Sequence, residues 1–141
     1  MDCITFRNGY KYQLKSEYHV DIPIKPPKDI GTEYILLTLD GNLTIKRGYA
    51  WDGPSGPTFD TRTFMRGSLV HDAMYQLMRE GHLDNKTYRG QADKLLRTMC
   101  RQDGMNPLRA WWVYQGVKLF ANFAADPAKK KPPVLAPKIC E

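Results

Sequence analysis

Hydrophobic and polar residues alternate along much of the first half of the chain, with the two-residue period of a β-strand. The strongest alternating run covers residues 34–39, and a second run over 43–47 follows an Asp-Gly-Asn turn at 40–42. These two runs predict an antiparallel hairpin. A shorter run over 10–14 predicts another strand, whereas three prolines predict an irregular connection over 21–32.

In the second half, apolar residues repeat with the longer period of an amphipathic helix. Asp60 or Thr61 is placed to cap a first helix, which Gly81 ends. A second helix is predicted over 85–102. A third begins at Pro107, because proline is favoured at the first position of a helix.

The order of these elements predicts an α+β fold, in which a small N-terminal β-hairpin or sheet is followed by three helices. We assign residues 1–125 to a single domain, since a chain of 141 residues suffices for one modest core. Residues 126–141 are rich in proline and lysine and have little to bury, so we interpret them as a C-terminal tail.

The composition excludes several classes of protein. No apolar run approaches the roughly 18 residues needed to span a bilayer, so no transmembrane segment is expected. The N-terminus lacks a basic head followed by an apolar stretch, which argues against a signal peptide. The widely spaced Cys3, Cys100 and Cys140 argue against a disulfide framework and predict reduced thiols.

The net charge of +6 favours an anionic partner, although a solvated basic face explains it equally well. Nucleic-acid binding through Arg97 and Arg101 is least favoured, because no stacking platform or groove-reading motif accompanies them. In the third helix the aromatic residues are spread around the axis, which favours a buried core helix. Its basic residues Arg109 and Lys118 leave a second interpretation open, in which the helix rests on anionic phospholipid.

The candidate functional site is a glycine- and proline-rich loop over 48–57 followed by the sequence HDAMY over 71–75. On a helix, His71 falls on the apolar, inward-facing stripe, while Asp72 lies about 100° away and meets different surroundings. A histidine in an apolar wall tends to stay neutral, which is the state that a general base needs. Its second ring nitrogen then requires an orienting acceptor. A satisfied core histidine is the more ordinary role of such a residue.

HDAMY looks like the HDxxY catalytic helix of secreted phospholipases A2, and the prokaryotic branch of that family is the more similar. That branch places the aspartate that orients its histidine on the following antiparallel helix, a little over twenty residues later. Asp93 lies 22 residues after His71. The resemblance therefore implies two antiparallel, phospholipase A2-like helices, in which His71 is the base and Asp93 orients it. Tyr75 would support Asp93 through its hydroxyl. The resemblance also implies a calcium ion, held by Asp72 and by loop carbonyls near Trp51 and Gly53.

The surroundings of Asp93 support a different interpretation as well. Arg89 and Arg97 stand four residues before and after it, which is the spacing of a salt-bridge ladder on a helix surface. The half-cystines of the phospholipases are also missing, since Met74 stands where their HDxCY pattern has one.

A second resemblance covers most of the chain. An uncharacterised bacteriophage and prophage family, of the domain-of-unknown-function-1353 type, has in order a β-hairpin, a DGxSxP loop, HDxxY, a later aspartate on a helix and a closing GVKLF helix. The matching positions here are Asp52, Gly53, Ser55, Pro57, His71, Asp72, Tyr75, Asp93 and residues 116–120. The resemblance implies a phage origin. It puts Asp52 at the same site as His71, as a metal ligand or as the acceptor that orients His71. Ser55 is then either a nucleophile paired with His71 or a turn-capping residue.

Two functions follow from these resemblances. The first is a metal-assisted hydrolase of the phospholipase A2 type, which uses calcium and acts on membrane lipid, or on another ester or amide bond, during host entry or lysis. The second is a non-catalytic structural or adaptor component of a phage particle, such as its tail or baseplate, which contacts other particle proteins through the C-terminal tail. The protein is expected to be made in the host cytoplasm and, in the second case, to be part of the virion.

Overall fold

The computed structural model describes residues 4–6, 12–51, 62–125 and 134–136, and it describes side chains within 12–51 and 63–119. The elements in chain order are β1 (Ile4–Phe6), β2 (Tyr12–Gln13), β3 (Tyr18–Asp21), β4 (Ile30–Gly31), β5 (Ile35–Leu37), β6 (Asn42–Ile45), β7 (Ala50–Trp51), α1 (Arg62–Arg79), α2 (Asn85–Gln102), α3 (Pro107–Ala125) and β8 (Val134–Ala136). The predicted α+β order of an N-terminal antiparallel sheet followed by three helices is confirmed.

The predicted hairpin forms the centre of a four-stranded antiparallel sheet with the order β3-β6-β5-β4. β5 and β6 pair so that Ile35 lies opposite Ile45 and Leu37 opposite Leu43. All four of these side chains are buried, because alternate residues of a strand point to the same face and this face meets the core. Within the predicted strand over 10–14, β2 pairs with β7, and residues 10 and 11 lie outside the described residues.

The sequence did not predict five of the strands, namely β1, β3, β4, β7 and β8. β7 lies within 48–57, the segment predicted to be a loop, where Ala50 and Trp51 pair with β2. β3 and the two-residue β4 flank the prolines of the segment predicted to be an irregular connection, and they form the two edges of the sheet. Edge strands need only one paired side, so short runs beside prolines are tolerated there. In the C-terminal tail, the apolar residues of β8 pair with β1, with Ile4 opposite Ala136. The tail therefore includes a strand as well as its lysines and prolines.

Gly41 forms the tight turn between β5 and β6, and its φ of +89° is in the left-handed region. A Cβ at this position would lie 2.3 Å from the backbone oxygen of Ile22. We therefore expect Gly41→Ala to lower the free energy of unfolding by about 2–3 kcal/mol, through backbone strain and a backbone clash together. Gly81→Ala is the matched control, because Gly81 has a φ of +81° but no described atom within 4 Å of the position that a Cβ would take. Urea denaturation of both variants should give a loss of only about 1 kcal/mol for the control, and equal losses would contradict the clash.

The three helices lie close to their predicted positions, and α2 has the predicted limits. α2 begins after Asp84, whose carboxylate accepts a hydrogen bond from the backbone N–H of Thr87 at 3.0 Å. This N-cap satisfies one of the donors that a helix start leaves free. The predicted caps of the first helix, Asp60 and Thr61, lie outside the described residues.

α1 and α2 approach closely at Gly67. A Cβ there would lie 3.0 Å from Leu96 Cδ1 and 3.1 Å from Cys100 Sγ, so only glycine fits without displacing a neighbour. Cys100 is a free thiol, as predicted, and burial raises its pKa to about 11. This close contact sets the distance between the facing side chains of the two helices, including those of the candidate site.

Arg66 joins the start of α1 to the end of α2 and to the sheet edge. Its guanidinium donates to both carboxylate oxygens of Asp103, at 2.8 to 3.1 Å, and reaches the hydroxyl of Tyr18 at 3.5 Å. The hydrogen bond to Asp103 is the main reason why the pKa of Arg66 is raised. The bidentate contact between Arg66 and Asp103, together with the contact to Tyr18, holds α1 and α2 in a defined position against β3.

The expectation that the aromatic residues of α3 are buried is wrong for its two tryptophans. Ala110 and Val113 pack in the core, but Trp111 and Trp112 are exposed. One side of the helix suffices to cover its neighbours, because α3 lies against α2 and α1 from one direction only. Across the described part of the chain, no helix has the length and apolar character needed to cross a membrane.

Candidate functional site

His71 and Asp93 meet across the interface between α1 and α2. The Nε2 atom of His71 lies 2.8 Å from Oδ1 of Asp93. The two side chains are 11% and 3% exposed, so the pair is nearly closed off from solvent. The periodicity of α1 predicts the inward position of His71, and the packing of α2 brings Asp93 to it.

Tyr75 joins this pair from the next turn of α1. Its hydroxyl donates to the same Oδ1 of Asp93 at 2.5 Å. The rings of His71 and Tyr75 lie side by side, with centroids 4.1 Å apart and planes tilted by 34°. Residues four apart on a helix point in the same direction, so one helix supplies both donors to a single carboxylate on the other. We call these three residues the His–Asp–Tyr cluster.

The cluster constrains where the protons lie. A buried carboxylate is stable when it accepts hydrogen bonds from its neighbours, and Asp93 accepts one from Tyr75. If His71 likewise donates its Nε2 proton, the neutral ring has its free lone pair on Nδ1. A proton then taken up by Nδ1 would give an imidazolium beside the Asp93 carboxylate, which stabilises it. The arrangement can therefore support general-base chemistry at Nδ1.

The phenol of Tyr75 is held in its protonated form. Burial, the hydrogen bond to Asp93 and the charge of that carboxylate raise the pKa of Tyr75 well above its ordinary value. The tyrosine thus remains a hydrogen-bond donor to Asp93 over the whole range of neutral and moderately alkaline pH.

This shift predicts a loss of stability at high pH. The contribution of Tyr75 is fully present below the unfolded-state pKa of about 10 and is lost as pH rises above it, because only the unfolded phenol releases its proton. We expect the free energy of unfolding of the wild type to fall more steeply than that of Tyr75→Phe between pH 10 and 11, by about 1 kcal/mol over that interval. Urea denaturation at several pH values measures both slopes, and parallel slopes would show that Tyr75 ionises freely in the folded protein.

Trp51 connects the end of β7 to α1 one turn before His71. Its indole Nε1 donates to the Ser68 hydroxyl at 3.2 Å, and that hydroxyl donates to the carbonyl of Met65 at 2.9 Å. Trp51 also packs against Tyr12, with ring centroids 5.5 Å apart. Trp51, the last described residue of the loop over 48–57, is therefore anchored directly to the helix that carries His71.

The structure leaves other predicted site residues apart from the cluster or undescribed. Asp52, Gly53 and Ser55 lie outside the described residues, so their predicted roles stay predictions. Asp72 is half-buried and has an interaction partner of its own. The indole of Trp51 donates a hydrogen bond to Ser68. The role predicted for Trp51 belongs to its backbone carbonyl, as a calcium ligand, and stays a prediction.

A calcium site would need several oxygen ligands close together. Among the side chains described within 12–51 and 63–119, no three of histidine, cysteine, aspartate or glutamate come together in a way that would hold a metal ion.

The alternative in which Asp93 belongs to a surface salt-bridge ladder does not hold in the structure. The Asp93 side chain points inward and is buried. Arg97 instead lies over the ring of Tyr114 on α3, with its guanidinium carbon 5.8 Å from the ring centroid. The spacing along one helix is compatible with both arrangements, and only the position of α1 separates them.

Ser68 is the one residue of the site whose role the sequence analysis did not anticipate. It lies three residues before His71, and its hydroxyl accepts a hydrogen bond from the Trp51 indole. A small hydroxyl residue on the buried side of a helix is a weak signal, because serine there more often bonds to its own helix. Ser68 does so through Met65 while accepting from Trp51.

A family model described as a protein of unknown function (DUF1353) matches residues 32–117, a span that contains β5, β6, α1 and α2 and therefore the whole His–Asp–Tyr cluster. No curated protein and no solved structure matches the chain.

Proposed function

We propose that this chain, which belongs to the DUF1353 family of proteins of unknown function, is a hydrolase in which His71 is the general base. The observation that carries the proposal is the His–Asp–Tyr cluster, in which one buried carboxylate accepts from a histidine on the neighbouring helix and from a tyrosine. Proton transfer by a positioned histidine is a common device of hydrolases. The resemblance of HDAMY to phospholipase A2 gives the same role to His71.

The proposed reaction uses water as the nucleophile. Nδ1 of His71 takes a proton from water as the water oxygen forms a bond to the carbonyl carbon of an ester or amide. Asp93 keeps the ring in the required tautomer and stabilises the imidazolium, while Tyr75 holds Asp93 in place. The proton on Nδ1 then passes to the leaving oxygen or nitrogen as its bond to carbon breaks. The products are a carboxylic acid and an alcohol or amine.

The phospholipase resemblance makes a phospholipid ester the first substrate to test, and calcium the first ion. Asp72 and the loop residues Trp51 and Gly53 are the proposed calcium ligands, with Asp52 and Ser55 as further candidates on the same loop. A role in host entry or lysis follows from the proposed phage origin.

A direct assay tests this proposal. Purified full-length protein is incubated with a panel of ester and amide substrates that includes phospholipid vesicles, each with calcium and with a chelator. His71→Gln protein purified in parallel is the blank. Hydrolysis by the wild type that the blank lacks supports the proposal. Equal signals from both proteins on every substrate would contradict it. Hydrolysis that the chelator does not reduce would contradict the proposed role of calcium and would still support the proposed hydrolase activity.

One observation favours the second function, a non-catalytic component of a phage particle. The cluster is nearly closed off from solvent, as a purely structural set of hydrogen bonds would be. In that case His71, Asp93 and Tyr75 only fix α1 against α2, and the C-terminal tail contacts other particle proteins. Detection of the chain in purified particles, together with an inactive wild type, would support this second candidate.

A further inference from the structure

We propose that the exposed face of α3 is a docking surface for an anionic phospholipid bilayer. This inference concerns a surface away from the His–Asp–Tyr cluster and does not depend on hydrolysis. Its basis is an apolar stripe on α3 that the core leaves uncovered, together with the charges around it.

The stripe is made of large apolar side chains on one side of the helix. Leu108 and Leu119 are 73% and 79% exposed, and Trp111 and Trp112 are 46% and 52% exposed. At 100° per residue these four positions fall within an arc of about 100°, opposite the buried residues of the same helix. We call these four residues the α3 stripe. The half-buried Gln115 falls within the same arc, and the exposed apolar residues around it form a group of the kind that usually marks an interaction site.

A cation borders the α3 stripe on one side, since Lys118 lies beside Trp111 on the helical wheel and is exposed. Arg109 lies beyond Trp112 on the other side, but its Nη2 atom is buried. Lys118 and Arg97 both lie over the ring of Tyr114, with distances of 6.0 Å and 5.8 Å to its centroid. Tyr114 thus brings a cation from α2 to the border of the stripe on α3.

α2 and α3 carry no exposed carboxylate. The carboxylate of Asp93 is the one acidic group within α2 and α3, and it is buried in the cluster. The basic residues of the two helices are Lys86, Arg89, Lys94, Arg97, Arg101, Arg109 and Lys118. An apolar stripe with tryptophan and leucine, bordered by cations and free of carboxylates, is the pattern of a helix that lies in the surface of an anionic membrane.

This pattern fits a bilayer better than other occupants. Nucleic acid would pair with the cations but would leave two exposed leucines without a partner. A second copy of this chain would bring the same cations together across a twofold axis, where they would repel each other. Lipid headgroups and acyl chains match both the charges and the apolar side chains.

Vesicle binding tests the proposal, with the full-length protein and its His71→Gln variant measured in parallel. The vesicles contain phosphatidylcholine alone or phosphatidylcholine with phosphatidylglycerol. We expect binding to the anionic vesicles to be at least about tenfold tighter and to weaken with salt. The fluorescence of Trp111 and Trp112 should shift to shorter wavelength on binding, whereas Trp51 is already buried. Equal binding by His71→Gln would show that docking is independent of turnover.

Variants of the α3 stripe locate the binding surface. The triple variant Leu108→Gln/Trp112→Gln/Leu119→Gln is expected to bind anionic vesicles at least about tenfold more weakly, because it removes the apolar contact. Leu39→Gln is the matched control, since Leu39 is a 50% exposed leucine in the turn between β5 and β6, and it should bind like the wild type. Unchanged binding by the triple variant, or equal affinity of the wild type for neutral and anionic vesicles, would overturn the proposal. So would a wild-type dimer in sedimentation that the triple variant abolishes, or tighter binding of the wild type to a DNA duplex than to the vesicles.

Discussion

Replacement of His71 by glutamine is expected to lower turnover on the hydrolysed substrate by a factor of about 10² to 10⁴, because the variant has no group that can take the proton from water. Glutamine is similar in size, and its amide can donate to Asp93, so the packing of α1 against α2 should persist. Asp93→Asn should lower turnover by a similar factor. The new amide can donate to Nε2, which moves the ring proton to Nδ1 and blocks the base.

The double variant separates a shared role from two independent ones. If His71 and Asp93 act as a unit, His71→Gln/Asp93→Asn loses no more turnover than the worse single variant. Lys94→Gln is the control, because Lys94 is an exposed neighbour of Asp93 on α2 and should keep wild-type turnover. The measurements are kcat at saturating substrate, with circular dichroism to confirm the fold. A His71→Gln variant with more than a tenth of wild-type turnover would refute the base assignment.

The second large effect concerns stability. Asp93→Ala is expected to lower the free energy of unfolding by about 3–5 kcal/mol, because it leaves the Nε2–H of His71 and the hydroxyl of Tyr75 buried without their acceptor. A fully apolar version, His71→Phe/Tyr75→Phe/Asp93→Leu, removes all three polar groups together and should regain most of that loss, to within about 2 kcal/mol of the wild type. Urea denaturation at neutral pH compares the three proteins.

These stabilities also distinguish the two proposed functions. An apolar version that is as stable as the wild type would mean that stability does not require the polar cluster, which favours a chemical role for it. An apolar version as unstable as Asp93→Ala would mean that the hydrogen bonds specify the helix packing, as the structural alternative requires. A loss of less than about 1 kcal/mol in Asp93→Ala would contradict the buried geometry itself.

The proposed hydrolase activity and the proposed membrane docking are connected through the choice of substrate. Docking of α3 on an anionic bilayer would bring the chain to a surface made of phospholipid esters, which are the first substrates to test. Yet neither proposal needs the other, since a particle component can rest on a membrane without chemistry, and a hydrolase of soluble esters needs no docking surface.

Much of the architecture could be predicted from the sequence because it depends on local patterns. The alternation around residues 40–42 predicts the β5–β6 hairpin, and the limits of α2 follow from its periodicity and its flanking turns. The short edge strands β3 and β4 could not be predicted in this way. Their pairing is with residues distant in the chain, and their own sequences are short and interrupted by prolines.

The same division applies to the candidate site and to α3. His71 and Tyr75 are four residues apart on one apolar stripe, so the sequence by itself determined that both point inward from α1. It did not decide whether Asp93 joins a surface ladder or the buried pair, because the spacing of Arg89 and Arg97 is compatible with both. Nor did it decide which of the aromatic residues of α3 would be covered. Those outcomes depend on how the helices approach one another, at the close contact of Gly67 and in the one-sided packing of α3. Only the tertiary structure determines which side of a helix meets a neighbour.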